Sequence, residues 1–321
     1  MFVKSLSIEE FRGVKSCTKP IKFSNFTVLI GRNNSGKSAI LEALSLLPTP
    51  WTSRYISSIP RINYLAQIHL TRKGGMYRRL LYLYAGEASL DYILEHTNKK
   101  IYFKITKDTF ESSLMQNVSS TAQFYNMKPN QLEHSVLFFP YTASILDDIE
   151  WRMNDLKDLI TKEGYHITLA KFLNECGNEK FSEFIFQDPI TLRKVYPDTT
   201  AFIELKDLGS GTERVIKIMA LLELLNPKLI LIDDFAAGFH PTMIKLFFNW
   251  LNKKDFQIII STHNIDVLYY LADLKPKDTS ILQLNKSNED VISQETFTLE
   301  EIESLLNANN DPRLLGGLLN L

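Results

Sequence analysis

Gly31-Arg32-Asn33-Asn34-Ser35-Gly36-Lys37-Ser38 matches the pattern G-x-x-x-x-G-K-[ST] at every fixed position. Gly31 and Gly36 let the backbone curl so that consecutive N–H groups face one point, at dihedrals a side chain resists. A helix opening near Gly36 adds its positive N-terminal end. The loop is therefore built for phosphate. Lys37 is placed to reach the β- and γ-phosphates of a nucleoside triphosphate, and the Ser38 hydroxyl to ligate Mg²⁺. On one side, Phe26–Ile30 is a continuous apolar run, the mark of a buried strand. On the other, Ile40, Leu41, Leu44 and Leu47 share a helical face that Pro48 and Pro50 stop. Arg32, Asn33, Asn34, Ser35 and Ala39 join the nucleotide site by position in the loop.

Three later stretches supply what such a loop lacks. Leu229–Ile232 is an apolar strand ending in Asp233-Asp234. Asp233 there can hold Mg²⁺, and Asp234 can orient or deprotonate an attacking water. Gln257–Ile260 ends in Ser261-Thr262-His263, a strand end where open α/β sheets place ligands. A neutral His263 imidazole can hydrogen-bond a γ-phosphate. Leu208-Gly209-Ser210-Gly211-Thr212-Glu213 opens a helix that runs to Leu225. Small residues before a helix N-terminus bind anions, although the same residues also make an ordinary Ser/Gly cap. A second anion site cannot serve a phosphate already wrapped by residues 31–38. The economical solution is a homodimer formed on ATP binding, in which Gly209, Ser210 and Gly211 of each chain cap the other chain's γ-phosphate.

The remaining pattern fits an α/β chain. Phe2–Ile8 alternates as a strand, Ile62–Leu94 reads as β-hairpins with Gly74-Gly75 as one turn, and Ser135–Phe139 is an apolar strand closed by Pro140. Residues 144 to 190 carry helical spacing with little strand signal. From Ala201 onward strands and helices alternate, ending in a strand pair and a helix at Leu299–Leu306. Alternation of this kind implies βαβ units around a largely parallel sheet. The composition is ordinary for a globular protein: 321 residues, 45% hydrophobic, 23% charged, net charge −1. No global positive field advertises nucleic acid, so any such contact must be local. Cys17 and Cys176 suggest neither a disulfide framework nor a metal knuckle. No apolar run approaches the ~18 residues of a membrane span, and no signal peptide opens the chain, so a cytoplasmic protein without a membrane partner is expected.

The ordered set GRNNSGKS, LGSGTER, LILIDDFAAGFHP and IIISTHN resembles the ABC-type ATPase heads of the SMC, RecF and OLD-nuclease group. The opening Leu6-Ser7-Ile8-Glu9-Glu10-Phe11-Arg12-Gly13 is similar to the start of that group, as is Gly238-Phe239-His240-Pro241 to its element after the two aspartates. The resemblance implies a P-loop NTPase of ABC-ATPase type: a mainly parallel central sheet with an antiparallel β subdomain and a helical lobe. One continuous module is expected, with residues 1–143 and 212–321 as the nucleotide-binding lobe and 144–211 as the helical, signature-bearing lobe. It further implies that Gly31–Ser38 is Walker A, Gly209–Glu213 the signature, Asp233 the Walker B ligand and His263 the switch histidine, and it adds Arg12 to the nucleotide contacts.

Three departures matter. Asp234 stands where glutamate is usual and is one methylene shorter, which points to slow hydrolysis. The signature reads Leu-Gly-Ser-Gly. Val136-Leu137-Phe138-Phe139-Pro140-Tyr141-Thr142 occupies the place of a strand ending in glutamine, and neither Gln67 nor Gln131 fills that role. Asn285-Lys286-Ser287-Asn288 lacks the final aspartate of a guanine-reading motif, which leaves ATP as the nucleotide. No heptads provide coiled-coil arms, and no nuclease domain follows His263. A stand-alone ATPase head remains, acting as a nucleotide-gated switch. Two outputs stay open. One is nucleic acid, in DNA repair or antiviral defence, supported by Arg72-Lys73 and Arg78-Arg79 flanking a glycine turn. The other is a separately encoded effector protein; a transporter cassette fits less well.

Overall fold

The computed structural model describes residues 1–54, 56, 58–69, 75–95, 99–142, 144–177 and 179–315. Among these residues the strands are β1 (Val3–Phe11), β2 (Val14–Cys17), β3 (Ile21–Lys22), β4 (Phe26–Ile30), β5 (Ala88–Leu94), β6 (Lys100–Ile105), β7 (Phe110–Ser112) and β8 (Val136–Phe139). They continue as β9 (Phe181–Ile185), β10 (Thr191–Val195), β11 (Thr200–Glu204), β12 (Leu229–Ile232), β13 (Gln257–Ser261), β14 (Thr279–Lys286) and β15 (Val291–Phe297). No helix among the described residues is long and apolar enough to cross a membrane.

The chain forms two compact units. The first comprises 1–140, 227–235 and 255–321. It holds one large sheet in the order β7-β6-β5-β1-β2-β15-β14-β4-β13-β12-β8, with β3 on β1. From β14 to β8 the neighbours are parallel, in registers such as Ile258 opposite Phe26 and Ile230 opposite Ile258. The other half is antiparallel apart from the β2–β15 pair. All five residues of β4 and all four of β12 are buried, so these strands are near-continuous apolar runs, broken only by Thr27, rather than alternating. Each fully buried Leu or Ile contributes about 1.5–3 kcal/mol.

Two buried polar side chains tie the frame together. The Gln257 amide accepts from the N–H groups of Phe2 and Val3 at 2.9 and 2.8 Å and donates to the carbonyls of Val3 and Ser24 at 2.9 and 3.0 Å. Arg61 donates to the carbonyls of Val136 and Glu133 at 2.9 and 2.8 Å, and also to that of Ser45, which ends helix Lys37–Ser45.

Residues 61–68 correct the expected hairpins, for Arg61–Ile68 is a helix. Its buried Ile62, Leu65 and Ala66 follow an i, i+3, i+4 spacing that alternation with polar neighbours masks in the sequence. Short 3₁₀ turns follow at Arg78–Leu80 and Tyr82–Tyr84, and among the described residues of the expected hairpins only β5 is a strand. Arg72, Lys73 and Gly74, the centre of the expected basic tip, lie outside the described residues.

The second unit comprises 141–226 and 236–254. Helices Ser144–Asp155, Lys157–Lys162 and Tyr165–Gly177 accompany a small antiparallel sheet, β11-β10-β9. The helical lobe thus carries strands, and the Ala201 strand is antiparallel rather than part of a βαβ unit. The division also differs from the expected 144–211. Helix Ser210–Leu225 packs on Ser144–Asp155 and Tyr165–Gly177, and Pro241–Leu251 packs on Tyr165–Gly177, so both belong to this unit. Buried Lys217 anchors the first of these packings by pairing with Glu150 at 2.7 Å and with Glu213.

Candidate functional site

The parallel strands end side by side. β4 feeds residues 31–38, β13 feeds Thr262 and His263, and β12, on the far side of β13, feeds Asp233 and Asp234. In the loop, Gly31 has φ +139° and Gly36 φ +97°. A Cβ at Gly31 would meet the Leu284 carbonyl oxygen at 2.5 Å, and one at Gly36 the Ile292 Cδ1 at 2.3 Å. Glycine is required at both positions by conformation, and at Gly31 by the backbone beside it as well. Helix Lys37–Ser45 starts directly after Gly36, so its unpaired N–H groups open toward the loop.

Lys37 is 5% exposed, and its Nζ donates to the Gly31 and Arg32 carbonyls at 2.9 and 2.8 Å. Burial pushes this ammonium down to about 8, against the opposing pull of Asp233 and Asp234. His263 is lowered from its ordinary value by burial first, then by Lys37; Asp234 and Asp233 oppose the shift and Arg313 adds to it. Its imidazole is therefore neutral near pH 7 and keeps one ring N–H with which to donate to a phosphate oxygen. The mutual influence of Lys37, Asp233, Asp234 and His263 places all four within one electrostatic neighbourhood.

Ser261 was quoted in the sequence motif but given no role there, and it organises the acidic pair. Its hydroxyl donates to Asp233 Oδ1 at 2.6 Å and accepts from the Asp234 N–H at 2.8 Å. Asp234 itself sits at φ +47°, a left-handed conformation that non-glycine residues hold at a cost and that gathers at functional sites. A hydroxyl (Ser38) and a carboxylate (Asp233) form a hard oxygen donor set. Such a set suits Mg²⁺, which completes its octahedron with phosphate oxygens and water. No cluster of three or more His, Cys, Asp or Glu side chains arranged for a metal occurs among the described residues.

Arg12 is held against the helix that follows the phosphate loop. At φ +57°, its Nε donates to Glu42 Oε2 at 2.8 Å and its Nη1 to the Arg79 carbonyl at 3.0 Å. Glu42 lies on the helix that follows the phosphate loop and also meets His69 Nε2 at 3.0 Å. No sequence signal marked Glu42, which sits one helical turn beyond Ser38 among apolar residues.

In the second unit Gly209 has φ +93° and precedes helix Ser210–Leu225. A Cβ on Gly211 would lie 2.0 Å from the Gly238 carbonyl oxygen. The glycine of the signature is thus required by the close approach of the Gly238 backbone, in the segment after the two aspartates. The variant Gly211→Ala must push these backbones apart, at a cost of about 1–3 kcal/mol or more. Thermal melts are expected to show a lowered Tm, and a Gly211→Ala protein as stable as wild type contradicts the contact.

These features define a P-loop ATPase of mixed α/β fold. Two family models match the chain in succession: "AAA ATPase domain" over residues 1–107, and "AAA domain, putative AbiEii toxin, Type IV TA system" over residues 116–268. A protein described as "ATP/GTP phosphatase" from Helicobacter pylori (strain ATCC 700392 / 26695) is 22% identical over 376 residues, covering 98% of this chain and 100% of that one. An Smc head bound to the C-winged helix domain of ScpA superposes with TM-score 0.63 at 12% identity, over 94% of this chain and 99% of that one. The SMC head domain from Thermotoga maritima gives 0.52 at 17%, over 93% and 100%. At such identities the structural likeness speaks for the fold. Both parts of the chain thus resemble AAA ATPase domains, its fold is that of the SMC heads, and the chain is an ATPase that hydrolyses ATP.

Proposed function

We propose that this ATPase is a nucleotide-gated dimeric switch with Mg·ATP at its site. In this reading Gly31–Ala39 holds the phosphates, Lys37 their β- and γ-oxygens, and Ser38 and Asp233 the magnesium. Mg²⁺ neutralises phosphate charge when bound. Asp234 orients or accepts a proton from the attacking water, and neutral His263 senses the γ-phosphate. Asp234 is short for that task, and the expected rate is slow.

The observation that carries the reading is a pair of helix N-termini, each led by a glycine of positive φ and each suited to an anion. One follows the loop wrapped around Lys37 in the first unit. The other is the Gly209–Gly211 opening of helix Ser210–Leu225 in the second. One chain's nucleotide uses the first, and a second copy's nucleotide is the economical user of the other. The test is ATPase rate per chain against protein concentration. A rate that climbs to a plateau as ATP-bound dimers form supports the switch. A flat rate, with a monomeric mass at every concentration in ATP, overturns it.

For the output, the favoured reading is nucleic acid, in repair or antiviral defence. Arg78 and Arg79 supply the local positive charge, although Arg79 also donates to the His69 carbonyl at 2.8 Å. DNA affinity that ignores salt, or that survives Arg78→Ala/Arg79→Ala unchanged, removes this reading. The toxin–antitoxin description attached to the matched family favours a second: regulation of a separately encoded protein effector.

A further inference from the structure

The segment bearing His263 is fixed at three points, and one of them is a side chain fifty residues onward. The Thr262 N–H donates to the Leu29 carbonyl at 3.1 Å, extending the ladder beside β4. The Asn264 N–H donates to Thr262 Oγ1 at 3.0 Å, and Asn264 Oδ1 accepts from Asp266 N at 2.8 Å to cap helix Ile265–Leu274. The His263 carbonyl accepts from Arg313 Nη1, fifty residues onward and beyond helix Leu299–Asn307.

Arg313 is held for this purpose by Asp311. Its Nε donates to both carboxylate oxygens, at 2.8 and 3.1 Å, and its Nη2 and backbone N–H donate to the same carboxylate. These bonds hold the Asp311 carboxyl below its ordinary range. The fork fixes the guanidinium plane and leaves Nη1 aimed at the carbonyl of His263. Asp311 and Arg313 are each about one quarter exposed, and an ion pair so placed contributes little to stability. What it does fix is the backbone of a residue whose placement against a phosphate matters to within about 0.5 Å.

We propose that Arg313 is a positioning residue for ATP hydrolysis, setting the strand-end backbone that presents His263 to the γ-phosphate. This rests on the reading of His263 as the γ-phosphate contact. Arg313 touches neither substrate nor water in this role; it acts through the His263 carbonyl. The ATP-binding loop is untouched by it, so substrate binding and turnover separate.

The test is a double-mutant cycle on the full chain with Arg313→Ala, His263→Ala and the pair, plus Arg313→Lys, read as kcat and KM for Mg·ATP. Arg313→Ala is expected to lower kcat about tenfold with KM held within about twofold. Lysine can donate one bond to the carbonyl but cannot keep the fork, so Arg313→Lys is expected to recover part of the loss. In the His263→Ala background, Arg313→Ala is expected to cost less than about twofold. A wild-type kcat in Arg313→Ala overturns the proposal, as does an undiminished tenfold loss on top of His263→Ala. So does a loss that only follows the folded fraction measured at the assay temperature. If His263→Ala itself turns over normally, the histidine reading fails in its own right. Any loss in Arg313→Ala then runs by another route and overturns the proposal too.

Discussion

Lys37→Ala is expected to abolish ATP turnover, with kcat/KM falling about 10³-fold or more, equivalent to ~4 kcal/mol of lost transition-state stabilisation. The ammonium is 5% exposed and is held by its own loop, through the Gly31 and Arg32 carbonyls. Its positive charge therefore sits at the centre of the curl. Removing it leaves a ring of N–H groups with no cation to meet the β- and γ-phosphates. A thermal-shift measurement separates loss of binding from loss of chemistry. ATP at about 100 times its Kd stabilises a binding protein by about 2.7 kcal/mol, and Lys37→Ala is expected to show almost none of that gain. Lys37→Met serves as the control for the buried stem. Normal hydrolysis by either variant contradicts the assignment of the loop.

Asp233→Asn carries the second large effect. Asparagine keeps an oxygen to accept the Ser261 hydroxyl, now at 2.6 Å from Asp233 Oδ1, so the bridge to the Asp234 N–H survives. Only the charge is lost, and with it the affinity for a hard divalent cation. Turnover is expected to fall by about 10²–10³-fold, while nucleotide binding measured in EDTA stays near wild type. The melting temperature is expected to equal or exceed that of wild type, because a site that concentrates negative charge holds stability below its optimum. Loss of turnover together with loss of EDTA-insensitive binding would instead mark Asp233 as part of the frame.

Much of this site was legible because its parts are local in sequence. Strand, glycine loop and helix occupy twenty consecutive residues from Phe26 to Ser45, and each rests on a short-range rule of periodicity or conformation. The same holds for β12 before Asp233 and β13 before His263. The helix at Arg61–Ile68 is harder to see because Ile62, Tyr64, Ala66 and Ile68 fall at every second position and imitate a strand. The strands β9 to β11 are short and half-buried, with a burial pattern too weak to stand out. Ser261, Glu42 and Arg313 were missed for a different reason. Their roles rest on partners 27, 30 and 50 residues away, and nothing in a single sequence records which distant backbone atom a side chain will meet.

The place of β4 in the sheet has a consequence for synthesis. Its two neighbours are β13 and β14, paired through Ile258 and Thr279 opposite Phe26, more than 220 residues later. Until those strands leave the ribosome, the largely apolar β4 has no partner on either edge, and Gly31 and Gly36 lack the Leu284 and Ile292 walls against which they are shaped. Chain entropy must be spent on closing that long loop before the parallel pairing repays it. The phosphate loop is translated early and assembled late. The loop reaches its final shape only after β13, β14 and β15 have been made, and chaperones have β4 to shield in the interval.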